Sequence, residues 1–109
     1  MKKIITICGS LLLVLSSAAF AAEEHGKQAL EHANAASKAG SAAEVTQHAS
    51  AALEHSLASA IVLKGAAKNH MEAASGHLEE AVNHGNMGHA DVAKQHVDAA
   101  IAEIQAGNK

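Results

Sequence analysis

His70-Met-Glu-Ala-Ala-Ser-Gly-His77-Leu-Glu-Glu-Ala-Val-Asn-His84-Gly-Asn-Met-Gly-His89-Ala-Asp-Val-Ala-Lys-Gln-His96 is the stretch on which the reading of this chain turns. Five histidines recur at spacings of 7, 7, 5 and 7. Seven residues are close to two full α-helical turns, so histidines seven apart form a row along one side of a helix. The same period returns upstream in His25/His32 and His48/His55, and all nine histidines belong to such sets. The single irregular step, from His84 to His89, brackets Gly85-Asn86-Met87-Gly88 and marks a turn between two helices.

The composition points to an all-α protein. Proline is absent, alanine is the main apolar residue, and bulky Leu, Ile, Val and Met are few. Four helices follow from caps and breakers. Helix 1 is expected from Glu23 to Ala39, with Gly40 ending it and Leu30 its only bulky apolar residue, which makes it the weakest. Ser41-Ala-Ala-Glu44 reads as a capping box opening helix 2, which runs to about Leu63 before Gly65 with Val45, Ala49, Ala52, Leu53 and Ala60 as its apolar stripe. Helix 3 is expected to begin between Ala66 and His70, with Asn69-His-Met-Glu72 as an alternative cap, and to close at Gly85. Its stripe is Met71, Ala74, Leu78, Ala81 and Val82. Helix 4 is expected from about His89 to Gln105, with Ala93, Val97, Ala100, Ile101 and Ile104 facing inward.

The helices repeat in pairs. Shifted by 45 positions, His25, His32 and Gly40 fall on His70, His77 and Gly85. Shifted by 48, Gln47-His48 falls on Gln95-His96. The expected architecture is an up-down-up-down four-helix bundle made of two repeated αα-hairpins, at about 23–64 and 66–106.

The first 21 residues read differently from the rest. Met1-Lys-Lys precedes an apolar run from Ile4 to Leu15, and Ala19-Phe-Ala21 offers small residues for cleavage, the pattern of a secretory signal peptide. The run is too short to favour a permanent span, and Cys8 within it is not read as a lipidation site. The mature chain, 22–109, then has no cysteine, no aromatic Phe, Tyr or Trp, and six Lys against 11 Asp and Glu, a formal net charge of −5. That charge and the lack of arginine argue against nucleic acid. No membrane contact is expected after cleavage.

On a helical wheel each histidine row lies about 100° from the middle of its apolar stripe, always on the same side. Rows on the same side of antiparallel neighbours turn either toward each other or away from each other, in pairs, and residues at one level across a turn have a constant sum of positions. Within the second hairpin His84 should meet His89, His77 meet His96, and His70 meet Glu103. Within the first, His32 should meet His48 and His25 meet His55. A groove between helices 2 and 3, pairing His48 with His77 and His55 with His70 about a centre at 62–63, is the alternative.

Opposed imidazoles are ligands for copper, zinc and nickel. Histidines seven apart on one helix stand about 10.5 Å apart, so any site needs a neighbouring helix or a carboxylate one turn away. The co-ligands on offer are Glu44 for His48, Glu80 for His84 and His77, and Glu103 for His70. Nitrogen and oxygen donors suit Cu(II), Ni(II) or Zn(II) rather than Cu(I). Met71 and Met87 read as core and turn residues. No nucleophile triad, His-Glu-x-x-His, phosphate loop or haem motif occurs, so no enzyme is expected. A metal-independent helical protein whose histidines respond to pH is the competing reading.

His77-Leu-Glu-Glu-Ala-Val-Asn-His84-Gly-x-x-Gly-His89, followed by Ala-Lys-Gln-His96-Val-Asp-Ala-Ala-Ile, resembles the small metal-binding protein family, whose members are periplasmic, histidine-rich and cysteine-free. The resemblance covers most of the mature chain. It implies a monomeric four-helix bundle that binds several divalent ions, copper foremost, in metal sequestration or tolerance. It also implies His25, His32, His48, His55, His70, His77, His84, His89 and His96 as ligands. Ala39 and Glu103 stand where the heptad would place histidines, which implies a lower capacity.

Overall fold

The computed structural model describes the backbone of residues 2–109 and the side chains of residues 20–109. The side chains of the expected signal segment, Cys8 included, lie outside the described residues up to position 19. Four helices follow one another: α1 (Lys2–Lys38), α2 (Ala42–Val62), α3 (Gly65–Asn86) and α4 (Ala90–Gly107). The expected up-down-up-down bundle is the fold. Each helix packs on the next, α4 returns against α1, and α4 also leans across the diagonal onto α2.

Several boundaries differ from those the sequence predicts. α1 begins at Lys2 rather than Glu23; no proline interrupts the segment before Glu23. Its burial, among the described side chains, starts at Ala22. α3 begins at Gly65, before the expected start and without using the Asn69 cap. Gly65 takes φ +62°, a left-handed conformation that lets Leu63-Lys64 alone reverse the chain. α3 also runs past Gly85 to Asn86, and Gly88, at φ +79°, makes the following turn.

The predicted capping of α2 is present. Glu44 N–H donates to Ser41 Oγ at 3.2 Å, and the Glu44 carboxylate accepts from Gly40 N–H at 3.4 Å. The second contact reaches one residue before the usual capping-box partner.

The core is mostly alanine. Ala29, Ala33 and Ala36 face inward from α1, Ala49 and Ala52 from α2, Ala74 and Ala81 from α3, and Ala93 and Ala100 from α4. The fully buried larger apolar side chains are Val45, Met71, Leu78, Val97 and Ile104, all on the expected stripes. Leu30, Leu53, Val82 and Ile101 pack at the margin, only partly buried. Small core residues let helix axes approach at the near end of the usual 8–10 Å range.

The sequence stripes omit a seam of buried serines. Ser56 Oγ and Ser75 Oγ lie 2.8 Å apart between α2 and α3, and each is also within hydrogen-bond reach of a carbonyl of its own helix, Leu53 O at 3.0 Å and Met71 O at 2.8 Å, so whichever hydroxyl accepts across the pair donates to its own carbonyl. Only one of the two hydroxyls donates across the pair at a time. Ser59 Oγ donates to Ala22 O at 3.1 Å and ties α2 to α1. Serine nearly matches alanine in size and satisfies its hydroxyl locally, so it fits an alanine seam. Asp98 accepts from Ser37 Oγ at 2.7 Å, and Asn108 Nδ2 donates to Gly26 O at 3.1 Å, joining α4 to α1.

Leu78 is among the few large side chains in a core with little else to lose. Leu78→Ala should lower unfolding free energy by about 3 kcal/mol, read by chemical denaturation. Gly76 lies on the exposed side of α3 with open space where a Cβ would go. Gly76→Ala should therefore raise stability by about 1 kcal/mol in the same measurement.

Candidate metal centre

The bundle turns each histidine row toward its hairpin partner. Between α1 and α2, the His25 and His55 rings lie 5.2 Å apart, with Nδ1 to Nδ1 at 2.9 Å. One nitrogen of that pair must carry the proton and the other accept it. His32 lies 6.3 Å from His48 and stacks on His55 at 5.5 Å with only 4° between planes. The result is a zigzag of four imidazoles, His25, His55, His32 and His48, along one groove.

The α3/α4 groove repeats the plan. His77 faces His96 at 6.2 Å, His84 faces His89 at 5.8 Å, and His84 stacks on His96 at 5.4 Å and 9°. His70 Nδ1 contacts Glu103 Oε2 at 2.7 Å. All five facing pairs predicted within the hairpins are therefore present.

The alternative groove between α2 and α3 does not form. Among the described residues, every histidine ring contact falls within α1/α2 or α3/α4. The α2–α3 interface pairs Ser56 with Ser75, and Gly85 with Thr46, about a centre between 65 and 66 rather than 62–63. Gly85 sits so close to α2 that a Cβ there would collide with Thr46 Oγ1. This packed interface has no room for a row of imidazoles.

One set of three donors converges among the described residues: Glu80, His84 and His96, whose ligand atoms lie within 4.8 Å of one another. Ligands on a common ion at metal–donor distances of about 2.0–2.2 Å stand closer together than this, so small side-chain rotations close the set. Glu80 reaches His84 from one turn earlier, as its i−4 spacing predicts. The second imidazole comes from His96, the diagonal neighbour, and not from the level partner His89, which is exposed at the N-cap of α4. His84 Nδ1 is buried with no hydrogen-bond partner. A buried ring nitrogen left unpaired is costly, and a metal ion or an added proton donor relieves that cost. The donor set thus fits a divalent ion held by nitrogen and oxygen with open positions for water.

The other candidates are placed as follows. His25, His32, His48 and His55 meet one another, but among the described residues they converge with no carboxylate in a three-donor set. Glu44, expected beside His48, is exposed and turned to the α2 cap. Glu103 is beside His70 as expected. Met71 is buried in the core and Met87 is exposed at the end of α3. The diagonal His84/His96 pairing was not readable from spacing, because it depends on which rotamers the half-buried rings adopt.

Crowding affects the basicity of one ring. His55 is pushed below its usual value near 6.5, first by burial and then by repulsion from His25 and His32, with Glu54 opposing. A histidine whose pKa is lower in the folded chain takes up protons more readily when unfolded. Its contribution to stability is therefore complete above about 6.5 and is lost as pH falls through that value toward the folded pKa. The metal-free protein should show a thermal midpoint that declines as pH drops below about 6.5, and His55→Gln should flatten that slope.

The sequence model of the family described as "Small metal-binding protein" matches residues 1–107. No curated protein matches the chain.

Proposed function

The chain belongs to the small metal-binding protein family, and on that premise we propose that it sequesters or buffers divalent transition metals, copper foremost, in the periplasm. Metal binding is the activity the family name carries. The convergence of Glu80, His84 and His96 at the end of a histidine ladder is the observation that best supports it here.

The proposed chemistry is direct. Neutral imidazoles supply nitrogen lone pairs from neighbouring helices, and Glu80 supplies an anionic oxygen. The apolar stripe holds the helices at fixed spacing, so a folded scaffold presents the ligands before any ion arrives. The rings are half-buried rather than sealed, which keeps water in the coordination sphere and lets ions exchange. Imidazole with carboxylate ranks Cu(II) above Ni(II) and Zn(II), in line with the general order of divalent affinities. The chain is taken to act without catalysis and as a monomer. Residues 1–21 are taken to direct export, leaving 22–109 as the binding domain. No described helix is long and apolar enough to cross a membrane.

Calorimetric titration of metal-free protein with Cu(II) at neutral pH tests this reading. Saturable binding tighter than that of free histidine is expected. Free Cu(II) at 100 times its dissociation constant should stabilise the fold by about 2.7 kcal/mol per site, reversed by a chelator. Binding should weaken as pH falls, because protons compete for the same nitrogens. Binding no tighter than free histidine would leave the metal-independent pH-responsive protein as the better account.

A further inference from the structure

The two grooves share a plan but not a donor set. By the internal repeat, the His25/His55 rung of the first hairpin corresponds to His70/Glu103 in the second, so a carboxylate stands where an imidazole stood. Glu80 adds a second oxygen donor to the same groove, beside the stacked His84 and His96. Among the described residues, no carboxylate joins two histidines of the α1/α2 groove in such a set, and Glu54 acts on His55 through charge alone. Glu44 is held at the α2 cap, and Glu23 pairs with Lys27 at 3.1 Å on the surface. Glu24, Glu31 and Glu54 each directly precede a histidine and are turned about 100° from it around the helix.

Donor type decides which ions a site retains. Manganese and other oxygen-preferring cations need carboxylate, whereas copper, nickel and zinc bind well to imidazole alone. A carboxylate also brings negative charge toward a dication, which four neutral imidazoles do not. We infer that the two hairpins sort ions by chemical class: the α3/α4 groove accepts oxygen-preferring divalent cations through Glu80 with His84 and His96, and the all-nitrogen α1/α2 groove accepts only imidazole-preferring ions. This rests on the metal-binding reading above and makes Glu80 the residue that widens the range of one hairpin. Glu80 is exposed, so its removal leaves the core untouched.

The test follows the histidine ring protons of the full metal-free chain by NMR, with Mn(II) as a paramagnetic probe and Zn(II) as a diamagnetic one. Sub-stoichiometric Mn(II) should broaden His84 and His96 while His25, His32, His48 and His55 stay sharp. Zn(II) should shift both groups. Glu80→Gln should weaken Mn(II) broadening by at least about tenfold, since even the loss of an outer-shell partner costs a site 10–100-fold, and should leave the Zn(II) shifts of the α1/α2 group unchanged. Mn(II) broadening of both groups in parallel, of neither group, or undiminished in Glu80→Gln overturns the inference while Zn(II) binding still stands. If Zn(II) shifts neither group, the metal-binding reading itself fails, and the inference with it.

Discussion

Close approach of antiparallel helices through an alanine core is the condition on which both ladders depend. The histidine rows lie beside the apolar stripes, on the shoulders of the helices. Shoulder residues of two neighbours touch only if the helices come near enough, and Ala29, Ala33, Ala36, Ala49, Ala52, Ala74, Ala81, Ala93 and Ala100 permit that. Larger side chains at these positions would push the shoulders apart and leave the rings facing water. The core therefore does more than stabilise the chain; it sets the separation at which ring centroids meet at 5.2 to 6.3 Å.

The same geometry carries an electrostatic cost. Four imidazoles in one groove cannot all be protonated without mutual repulsion, and His55, whose pKa is depressed first by burial, is lowered further by its neighbours His25 and His32. The second groove offsets part of that cost with Glu103 at one end and Glu80 near the other. A ring whose burial and neighbours disfavour the charged form, as at His55, keeps its lone pair for a metal ion near neutral pH. Ligand chemistry and fold stability are thus coupled through the same side chains.

Most of this was legible in the sequence. Heptad spacing placed the histidines on one shoulder of each helix, and Gly40 and Asn86-Met87 placed the turns about which His32 meets His48 and His84 meets His89. Those relations depend on helix geometry alone. The α2–α3 register was less legible, because it is decided by contacts between small residues: Ser56 with Ser75, and Gly85 against Thr46. Such contacts leave no hydrophobic period to count. The start of α3 at Gly65 depends on a left-handed glycine that could equally have been read as a break. The diagonal convergence of His84 with His96 was beyond reach, since spacing defines which backbone positions face each other and not where half-buried rings turn.

The central claim is that one ion is held by imidazoles from two helices. The most direct measurement is the number of imidazole nitrogens coordinated to copper, read by pulsed electron paramagnetic resonance on the chain loaded with one equivalent of Cu(II). Opposed ladders predict two or more imidazoles per ion. A single imidazole per ion would mean that the histidines act as independent surface ligands, and would contradict the account.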